Sequence, residues 1–187
     1  MTTVGVLAIQ GDVAEHAAAL RRCGADVRLV RRPADLDGLD GVVLPGGEST
    51  AIGLVAREDG VLEALRRYVD HGGAVWGTCA GLVLLARDAG HPQPLVGGLD
   101  VAVDRNAFGP QVCSFESDLS IAGLPGGPFR AVFIRAPAVR RACPAVEVLA
   151  TLDDGRIVAV RQGGLLGAAF HPELTGDDRL HRLFLQA

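Results

Sequence analysis

A cysteine set between two glycines is the residue of this chain best suited to nucleophilic chemistry. Residues 77–81 read Gly-Thr-Cys-Ala-Gly and lie between an apolar run and a helical pattern. A sharp turn from strand to helix exposes such a side chain, and the partial positive charge of the helix start favours a thiolate at Cys79. The amide of Ala80 is then placed to donate to an oxyanion. The alternative is a buried structural cysteine in a glycine-rich turn.

A histidine and a carboxylate near the other end of the chain supply the partners that such a thiol needs. His171 and Glu173 flank a proline and follow an apolar run that predicts a strand. Because residues two apart in extended chain face the same way, we expect Glu173 to orient the imidazole. His171 would take protons from Cys79 and pass them to the leaving group. The pattern predicts a hydrolase with a Cys-His-Glu site that requires no metal or organic cofactor.

A glycine-rich loop offers the second half of an oxyanion hole. Residues 45–50 read Pro-Gly-Gly-Glu-Ser-Thr and follow a short apolar run. Two glycines let backbone amides face a ligand, so Gly47 is expected to donate a hydrogen bond to the oxyanion. A phosphate-binding loop is a weaker interpretation, since that motif needs a lysine and the chain has none. A tight loop without function is the remaining alternative.

The elements that must position these residues alternate between strand and helix in the first half of the chain. Asp12 is expected to cap the first helix, with Glu15 completing a capping box and Gly24 ending it. Strands are predicted at 4–9, 26–30, 41–44 and 74–76, and helices at 12–24, 49–57, 61–71 and 82–89. Such alternation indicates a parallel sheet with helices on both faces.

The second half of the chain reads mainly as strands. They are predicted at 99–105, 112–121, 129–135, 146–152, 157–161 and 165–170, with a closing helix at 177–186. A hairpin turn is predicted at 153–155, which read Asp-Asp-Gly. The predicted fold class is therefore α/β: a three-layer core with a mostly parallel central sheet flanked by helices, plus an antiparallel β extension. We expect one domain over residues 1–187.

Composition excludes several other classes of protein. Apolar residues make up 49% of the 187 residues and charged residues 21%, with a net charge of −4, which is typical of a globular domain. No basic stripe indicates nucleic acid or a membrane surface. No apolar run approaches the ~20 residues that span a bilayer, and the first residues lack the basic region, long apolar run and cleavage site of a signal sequence, so a cytoplasmic location is expected. The four cysteines show no metal-binding spacing and are expected to be free thiols.

With these motifs, the chain resembles the class I (triad) glutamine amidotransferases. Residues 77–81 and 171–173 carry the general resemblance. Within that superfamily the chain is similar to the glutaminase subunits of pyridoxal 5′-phosphate synthase. That similarity rests on segments in the same order and spacing at 5–11, 44–50, 105–109, 133–137 and 170–174. The resemblance implies the predicted fold, and it makes Cys79 the nucleophile, His171 the acid and base, and Glu173 its orienting carboxylate.

The resemblance also implies a substrate, L-glutamine, and the residues that hold it. These are Gly47, Glu48, Ser49, Arg105, Ile134 and Arg135. A guanidinium suits a carboxylate by bidentate geometry, so Arg105 is expected to clamp the α-carboxylate, while Arg135 contributes through its backbone. A surface ion pair is the alternative for Arg105.

The resemblance also implies a partner synthase subunit in a hetero-oligomeric complex. That subunit receives the ammonia and makes pyridoxal 5′-phosphate. Gln10 and Glu15, at the start of the first helix, are the expected contacts with it. Three alternatives stay open: another acceptor, such as an imidazole glycerol phosphate synthase; a non-catalytic module that binds glutamine or a partner; and a cysteine peptidase.

Overall fold

Strand and helix alternate along the first half of the chain, as the sequence predicts. The computed structural model describes residues 1–108 and 114–186. Its α-helices are α1 (Val13–Arg22), α2 (Ser49–Glu58), α3 (Val61–Asp70), α4 (Ala80–Leu85) and α5 (Arg179–Phe184). Short 3-10 helices lie at Pro33–Leu36 and Pro172–Leu174. The strands are β1 (Thr3–Leu7), β2 (Asp26–Val30), β3 (Gly41–Leu44), β4 (Ala74–Thr78), β5 (Ala86–Asp88), β6 (Leu99–Asp104), β7 (Phe115–Leu119), β8 (Phe129–Phe133), β9 (Ala138–Ala142), β10 (Glu147–Thr151), β11 (Ile157–Gln162) and β12 (Leu165–Ala168).

Five parallel strands form the centre of the large sheet, in the order β2-β1-β3-β4-β12. All four residues of β3 and of β12 are buried, because helices cover both faces of a parallel sheet. The sheet continues through β11, β9, β6 and β5, and it becomes antiparallel where β11 joins β12. The predicted fold class is confirmed: a mostly parallel, helix-flanked sheet with an antiparallel extension.

The direction in which the sheet grows reverses between β1 and β3. The chain passes from β1 to β2 on one side and then to β3 on the other. Right-handed crossovers therefore place α1 on one face and the α2–α3 pair on the opposite face. Helix α5 packs with α1, and α4 packs with α2. In open α/β sheets, ligands bind beyond the carboxyl ends of the strands at such a reversal.

A separate two-stranded sheet, β7 with β8, supports the end of β12. The ring of Phe133, on β8, packs on the ring of Phe170, and the two ring centroids are 5.5 Å apart. The backbone N–H of His171 donates to the carbonyl of Val132, at 2.8 Å. This small sheet thereby fixes the position of the chain at His171.

Several predicted boundaries are wrong. The helix predicted to reach residue 89 ends at Leu85, because residues 86–88 pair with β6 as an edge strand. Strand β9, at Ala138–Ala142, was not predicted; its exposed Arg140 interrupts the apolar pattern. The predicted strand at 112–121 begins outside the described residues, where Cys113 also lies, and its described part forms β7. The predicted turn at 153–155 joins β10 to β11, as expected.

No helix in the described ranges combines the length and the apolar character needed to cross a bilayer. The longest, including α1 and α2, have ten residues. A span needs about 20.

Helix α4 packs so closely on β3 that only glycine fits at its second position. A Cβ atom on Gly81 would lie 1.9 Å from the carbonyl oxygen of Leu44. We expect Gly81→Ala to lower the free energy of unfolding by about 1–3 kcal/mol, since the backbone of β3 must move. Chemical denaturation measures this. Gly176→Ala, where a Cβ meets nothing within 4 Å, should stay within about 0.5 kcal/mol of wild type. Equal effects of the two substitutions would contradict the close packing.

A buried histidine on α5 makes the fold sensitive to acid. His181 has no exposed surface and packs on Trp76, with ring centroids 4.9 Å apart. Burial, together with His16, lowers the pKa of His181 to about 4, against the opposing charges of Glu173 and Asp178. Between the unfolded value of 6.5 and about 4, the unfolded chain binds a proton that the folded chain does not. The free energy of unfolding therefore has its full value above pH 6.5 and falls as the pH drops from 6.5 to about 4.

We expect His181→Gln to lose less unfolding free energy than wild type between pH 6.5 and 4. The difference should approach at most about 1.4 kcal/mol per pH unit, the value for one proton. Urea unfolding at a series of pH values measures it. His71→Gln, at an exposed histidine, is the control and should follow wild type. A variant as acid-sensitive as wild type would show that His181 is protonated in the fold.

Candidate active site

The nucleophile candidate stands where β4 gives way to α4, at the sheet edge beside the reversal. Cys79 has φ 47° and ψ −105°, a left-handed conformation that is rare outside glycine. Its backbone N–H donates to Ala168 of the neighbouring strand β12 at 2.8 Å. The residue is 8% exposed. The turn predicted from the two flanking glycines is therefore present, and Ala80 begins α4 directly after it.

His171 and Glu173 meet across a short 3-10 turn and not along an extended strand. The Nδ1 atom of His171 lies 2.8 Å from Oε1 of Glu173. Pro172–Leu174 form the 3-10 helix, so the prediction that both residues share one face of extended chain is wrong, although their contact is present. The imidazole faces the same cleft as the Cys79 side chain, which acts on its pKa. Because Nδ1 bonds to Glu173, the ring presents Nε2 to the sulfur.

The electrostatics of this group favour a charged imidazole beside a charged carboxylate. Burial lowers the pKa of His171, but hydrogen bonds and charge from Cys79 and Glu173 outweigh it and raise that pKa to about 10. Burial raises the pKa of Glu173, yet His16 and His171 together hold it well below its usual range. An ionised carboxylate in the interior is sustained only by such donors.

Asp12 serves this group and does not cap α1 as predicted. Its carboxylate makes no cap hydrogen bond, although Asp12 occupies the N-cap position. Its Oδ2 lies 3.1 Å from Nδ1 of His171. Desolvation by burial, with the nearby charge of Glu173, raises the pKa of Asp12. Because the carboxylate of Asp12 turns towards the imidazole of His171, it does not accept from the backbone N–H groups at the start of α1.

Among the described residues, the side chains of Asp12, His171 and Glu173 lie close enough together to be considered as metal ligands. The ligand atoms of Asp12, His171 and Glu173 lie within 4.8 Å of one another. A metal would need the lone pair of His171 Nδ1, and in the hydrogen bond to Glu173 that nitrogen carries a proton. The donor set therefore fits proton transfer better than metal binding.

The glycine loop after β3 is connected to the start of α1. Gly47 has φ +149°, a conformation that glycine adopts readily. The carbonyl of Gly46 faces the N–H of Asp12 at 3.4 Å, and the side chain of Gln10 accepts from the N–H of Glu48 at 3.1 Å. A Cβ on Gly11 would lie 1.7 Å from the oxygen of Gly46. The loop and the helix start therefore touch through their backbones.

Arg105 reaches the same loop from the end of β6. Its guanidinium forms an ion pair with Glu48 and donates to Oγ1 of Thr50 at 2.9 Å. The Glu48 carboxylate also accepts from the N–H groups of Thr50 and Ala51, and so caps α2. Burial raises the pKa of Glu48, but the two backbone hydrogen bonds and the charge of Arg105 outweigh burial and lower that pKa. The surface ion pair considered for Arg105 is thus present, but it lies inside the cleft.

A cleft of about 370 Å³ brings most of the predicted site residues together. Its walls include ten of these twelve residues: Gln10, Gly47, Glu48, Ser49, Cys79, Ala80, Arg105, Ile134, Arg135 and His171. Glu173 lies buried behind His171, outside the wall. Glu15 is exposed on α1 and does not line the cleft.

The two residues after β8 enter the cleft through the main chain. Arg135 is exposed and has φ 44°, the second left-handed residue other than glycine in the described part of the chain. Ile134 precedes it and is half-buried. A strained backbone at the wall of a cleft is typical of a site that presents peptide groups to a ligand.

Three histidines and one glutamine around this cleft were not predicted from the sequence. His91 and Gln93 hold the Arg105 cluster: Arg105 Nη1 lies 2.7 Å from His91 Nε2, and the side-chain oxygen of Gln93 accepts from Ser49 at 3.2 Å. His16 and His181 lie buried behind Glu173. For His16 a signal existed, because with Ala19 and Leu20 it forms the i, i+3, i+4 pattern of a buried helix face.

Comparison with known proteins identifies a family that matches this chain. A family model described as the SNO glutamine amidotransferase family matches residues 6–187. A protein named pyridoxal 5′-phosphate synthase subunit PdxT from Parafrankia sp. is 60% identical over 186 residues, covering 98% of this chain and 91% of the relative. A protein of the same name from Thermus thermophilus is 57% identical, with coverages of 98% and 96%.

Solved structures give the same picture at the level of the fold. A crystal structure described as a glutamine amidotransferase has a TM-score of 0.92 and 53% sequence identity, covering 98% of this chain and 97% of that one. The structure of PurLQS from Thermotoga maritima has a TM-score of 0.70 at 18% identity, with coverages of 99% and 98%, and shows the shared fold alone. With a family match over nearly its whole length, this chain belongs to the SNO glutamine amidotransferase family.

Proposed function

We propose that this chain hydrolyses L-glutamine to L-glutamate and ammonia as the glutaminase subunit of a pyridoxal 5′-phosphate synthase. The observation that carries the proposal is that Cys79, His171 and Arg105 line one cleft, with Glu173 hydrogen-bonded to His171 from behind. Relatives that align with 97–98% of the chain bear the name of that synthase's PdxT subunit. The three described cysteines are free thiols, which supports a reducing compartment such as the cytoplasm.

In the first half of the reaction, the Cys79 thiolate attacks the side-chain amide carbon of glutamine. The C–S bond forms as the carbonyl electrons move to oxygen, giving a tetrahedral oxyanion. Backbone N–H groups of Gly47 and Ala80 stabilise that charge. His171, as the imidazolium, protonates the departing nitrogen; the C–N bond breaks, and ammonia and a γ-glutamyl thioester remain.

In the second half, water attacks the thioester. His171, now neutral, takes a proton from the water as it adds to the carbonyl carbon. The tetrahedral intermediate collapses with loss of the thiolate, and glutamate is released. Glu173 keeps Nδ1 of His171 protonated throughout, so that Nε2 alone exchanges protons with the reacting groups.

The charged cluster at the mouth of the cleft suits the α-amino acid end of glutamine. Arg105 presents a guanidinium to the α-carboxylate, and Glu48 presents a carboxylate to the α-ammonium group. Ser49 and the backbone at Ile134 and Arg135 complete the walls. In the free protein the two charges pair with each other, so substrate replaces one ion pair by two.

Docking of a partner is proposed to act on the loop at Gly46 and Gly47. The peptide between them is held by a long hydrogen bond, 3.4 Å, from the start of α1. Glycine allows that peptide to rotate at small cost. A synthase subunit that contacts α1 through Gln10 and Glu15 would then set the orientation in which Gly47 donates to the oxyanion.

The first experiment measures glutamate released from L-glutamine with and without the matching synthase subunit. We expect release to rise when the subunit is added, because docking completes the oxyanion hole, and to vanish in Cys79→Ala. Cys143→Ala, at a half-buried thiol outside the cleft, is the control and should keep wild-type activity. Release that does not depend on the subunit would contradict the docking proposal, and no release in either condition would contradict the glutaminase.

A second prediction concerns binding. Arg105→Lys replaces a planar fork by a point charge and loses bidentate contact with a carboxylate. We expect KM for glutamine to rise about tenfold or more while kcat changes about threefold or less, since the contact is made in both ground and transition states. Steady-state kinetics with the synthase subunit present separates the two constants.

The matched control is Arg130→Lys, at an exposed arginine that pairs with Asp118 on the β7–β8 sheet. Its KM should equal that of wild type. A fall in kcat at unchanged KM in Arg105→Lys would show that Arg105 acts on the reacting atoms and not on the α-carboxylate.

A further inference from the structure

A line of buried polar groups continues beyond Glu173, away from the cleft. The side chains of His16 and Glu173 have no exposed surface, and Nε2 of His16 lies 3.2 Å from Oε2 of Glu173. The same nitrogen lies 2.9 Å from Oγ1 of Thr78, the residue before the nucleophile. His16 therefore touches both the carboxylate that orients the imidazole and the strand that carries the thiol.

The free oxygen of the carboxylate has no other partner among the described residues. Oε1 of Glu173 accepts from His171, whereas Oε2 makes no hydrogen bond of ordinary geometry. The ring of His16 lies 3.2 Å from Oε2. Because a buried carboxylate oxygen without a donor is costly, this close electrostatic contact constrains how Glu173 can turn.

The chemistry of the groups fixes the direction of the hydrogen bonds. An ionised carboxylate only accepts, so Nε2 of His16, which faces both Oε2 of Glu173 and Oγ1 of Thr78, must carry a proton. A bare Nε2 would place its lone pair against the carboxylate. Nδ1 of His16 then accepts from Nε2 of His181, at 3.2 Å. This leaves Nδ1 of His181 bare, and it is indeed buried without a hydrogen-bond partner among the described residues.

We propose that His16 is a positioning residue for the glutaminase reaction, holding Glu173 and the Thr78–Cys79 strand end in one register so that His171 stays aligned with the thiol. The inference rests on the proposed function. His181 supports it by fixing the tautomer of His16. Groups that hold a metal ligand from behind typically change activity about 10–100-fold when removed, and we expect an effect of similar size for the carboxylate of Glu173.

The test compares His16→Leu, which removes the donor, with His16→Gln, which keeps an amide N–H, in the full chain with its synthase partner. For His16→Leu we expect kcat to fall about tenfold or more and KM to change about twofold or less. His16→Gln should recover part of that loss. His71→Gln, at an exposed histidine, is the control and should match wild type. Thermal melting verifies that each variant is folded.

A second readout requires no substrate. The rate at which iodoacetamide alkylates Cys79, followed by peptide mass spectrometry across pH, reports the thiolate that His171 stabilises. In His16→Leu its midpoint should move to higher pH, because a misaligned imidazolium stabilises the thiolate less. A merely structural role would lower stability without moving this midpoint.

Two outcomes would overturn the inference. One is a folded His16→Leu with kcat within about twofold of wild type and an unmoved alkylation midpoint. The other is an equal loss of kcat in the Leu and Gln variants with an unmoved midpoint, which assigns His16 to packing alone. Failure of wild type to hydrolyse glutamine would instead overturn the proposed function, and the alkylation midpoints would still decide the role of His16.

Discussion

The left-handed backbone of Cys79 is the constraint on which the rest of the site depends. A φ of 47° is costly for a side-chain-bearing residue, and the strain persists because the surroundings leave no alternative. The cysteine N–H is tied to Ala168, and the glycine at 81 lets α4 approach the carbonyl of Leu44. A Cβ at Gly77 would meet the oxygen of Gly81 at 2.3 Å. Close backbone packing of two strands and a helix thus supplies the strain that aims the thiol into the cleft.

A buried negative charge is the second organising element. Glu173 stays ionised in the interior because His171 hydrogen-bonds one of its oxygens and His16 lies 3.2 Å from the other, and its charge in turn stabilises the imidazolium. The acidic Asp12 approaches the same imidazole from the start of α1. The segment from Gln10 into α1 therefore contacts His171 and Glu173 through Asp12 and His16, and the oxyanion loop through Gln10. One segment of chain thus joins the imidazole, its carboxylate and the oxyanion loop.

Local patterns in the sequence predicted those features that depend on neighbours along the chain. Strands β2 and β3 and the nucleophile turn follow from apolar runs and glycines, and the structure has them at the predicted residues. What failed depends on contacts distant in sequence. Asp12 looks like a helix cap until the imidazole at 171 competes for it, and a histidine at 16 looks inert until the sheet brings Glu173 beside it. Strand β9 likewise owes its form to pairing with β6, because its own pattern is too polar to predict it.

The most direct measurement of the central claim is covalent capture of Cys79 by a glutamine-shaped electrophile, one that carries a reactive carbon in place of the side-chain amide. We expect a single added label, mapped to Cys79 by peptide mass spectrometry, with a rate that L-glutamine slows and D-glutamine does not. We also expect slower labelling in Arg105→Lys at limiting reagent, because the α-carboxylate is held less well. A label spread over Cys23, Cys79 and Cys143, unaffected by L-glutamine, would mean that the cleft recognises no glutamine and would contradict the account.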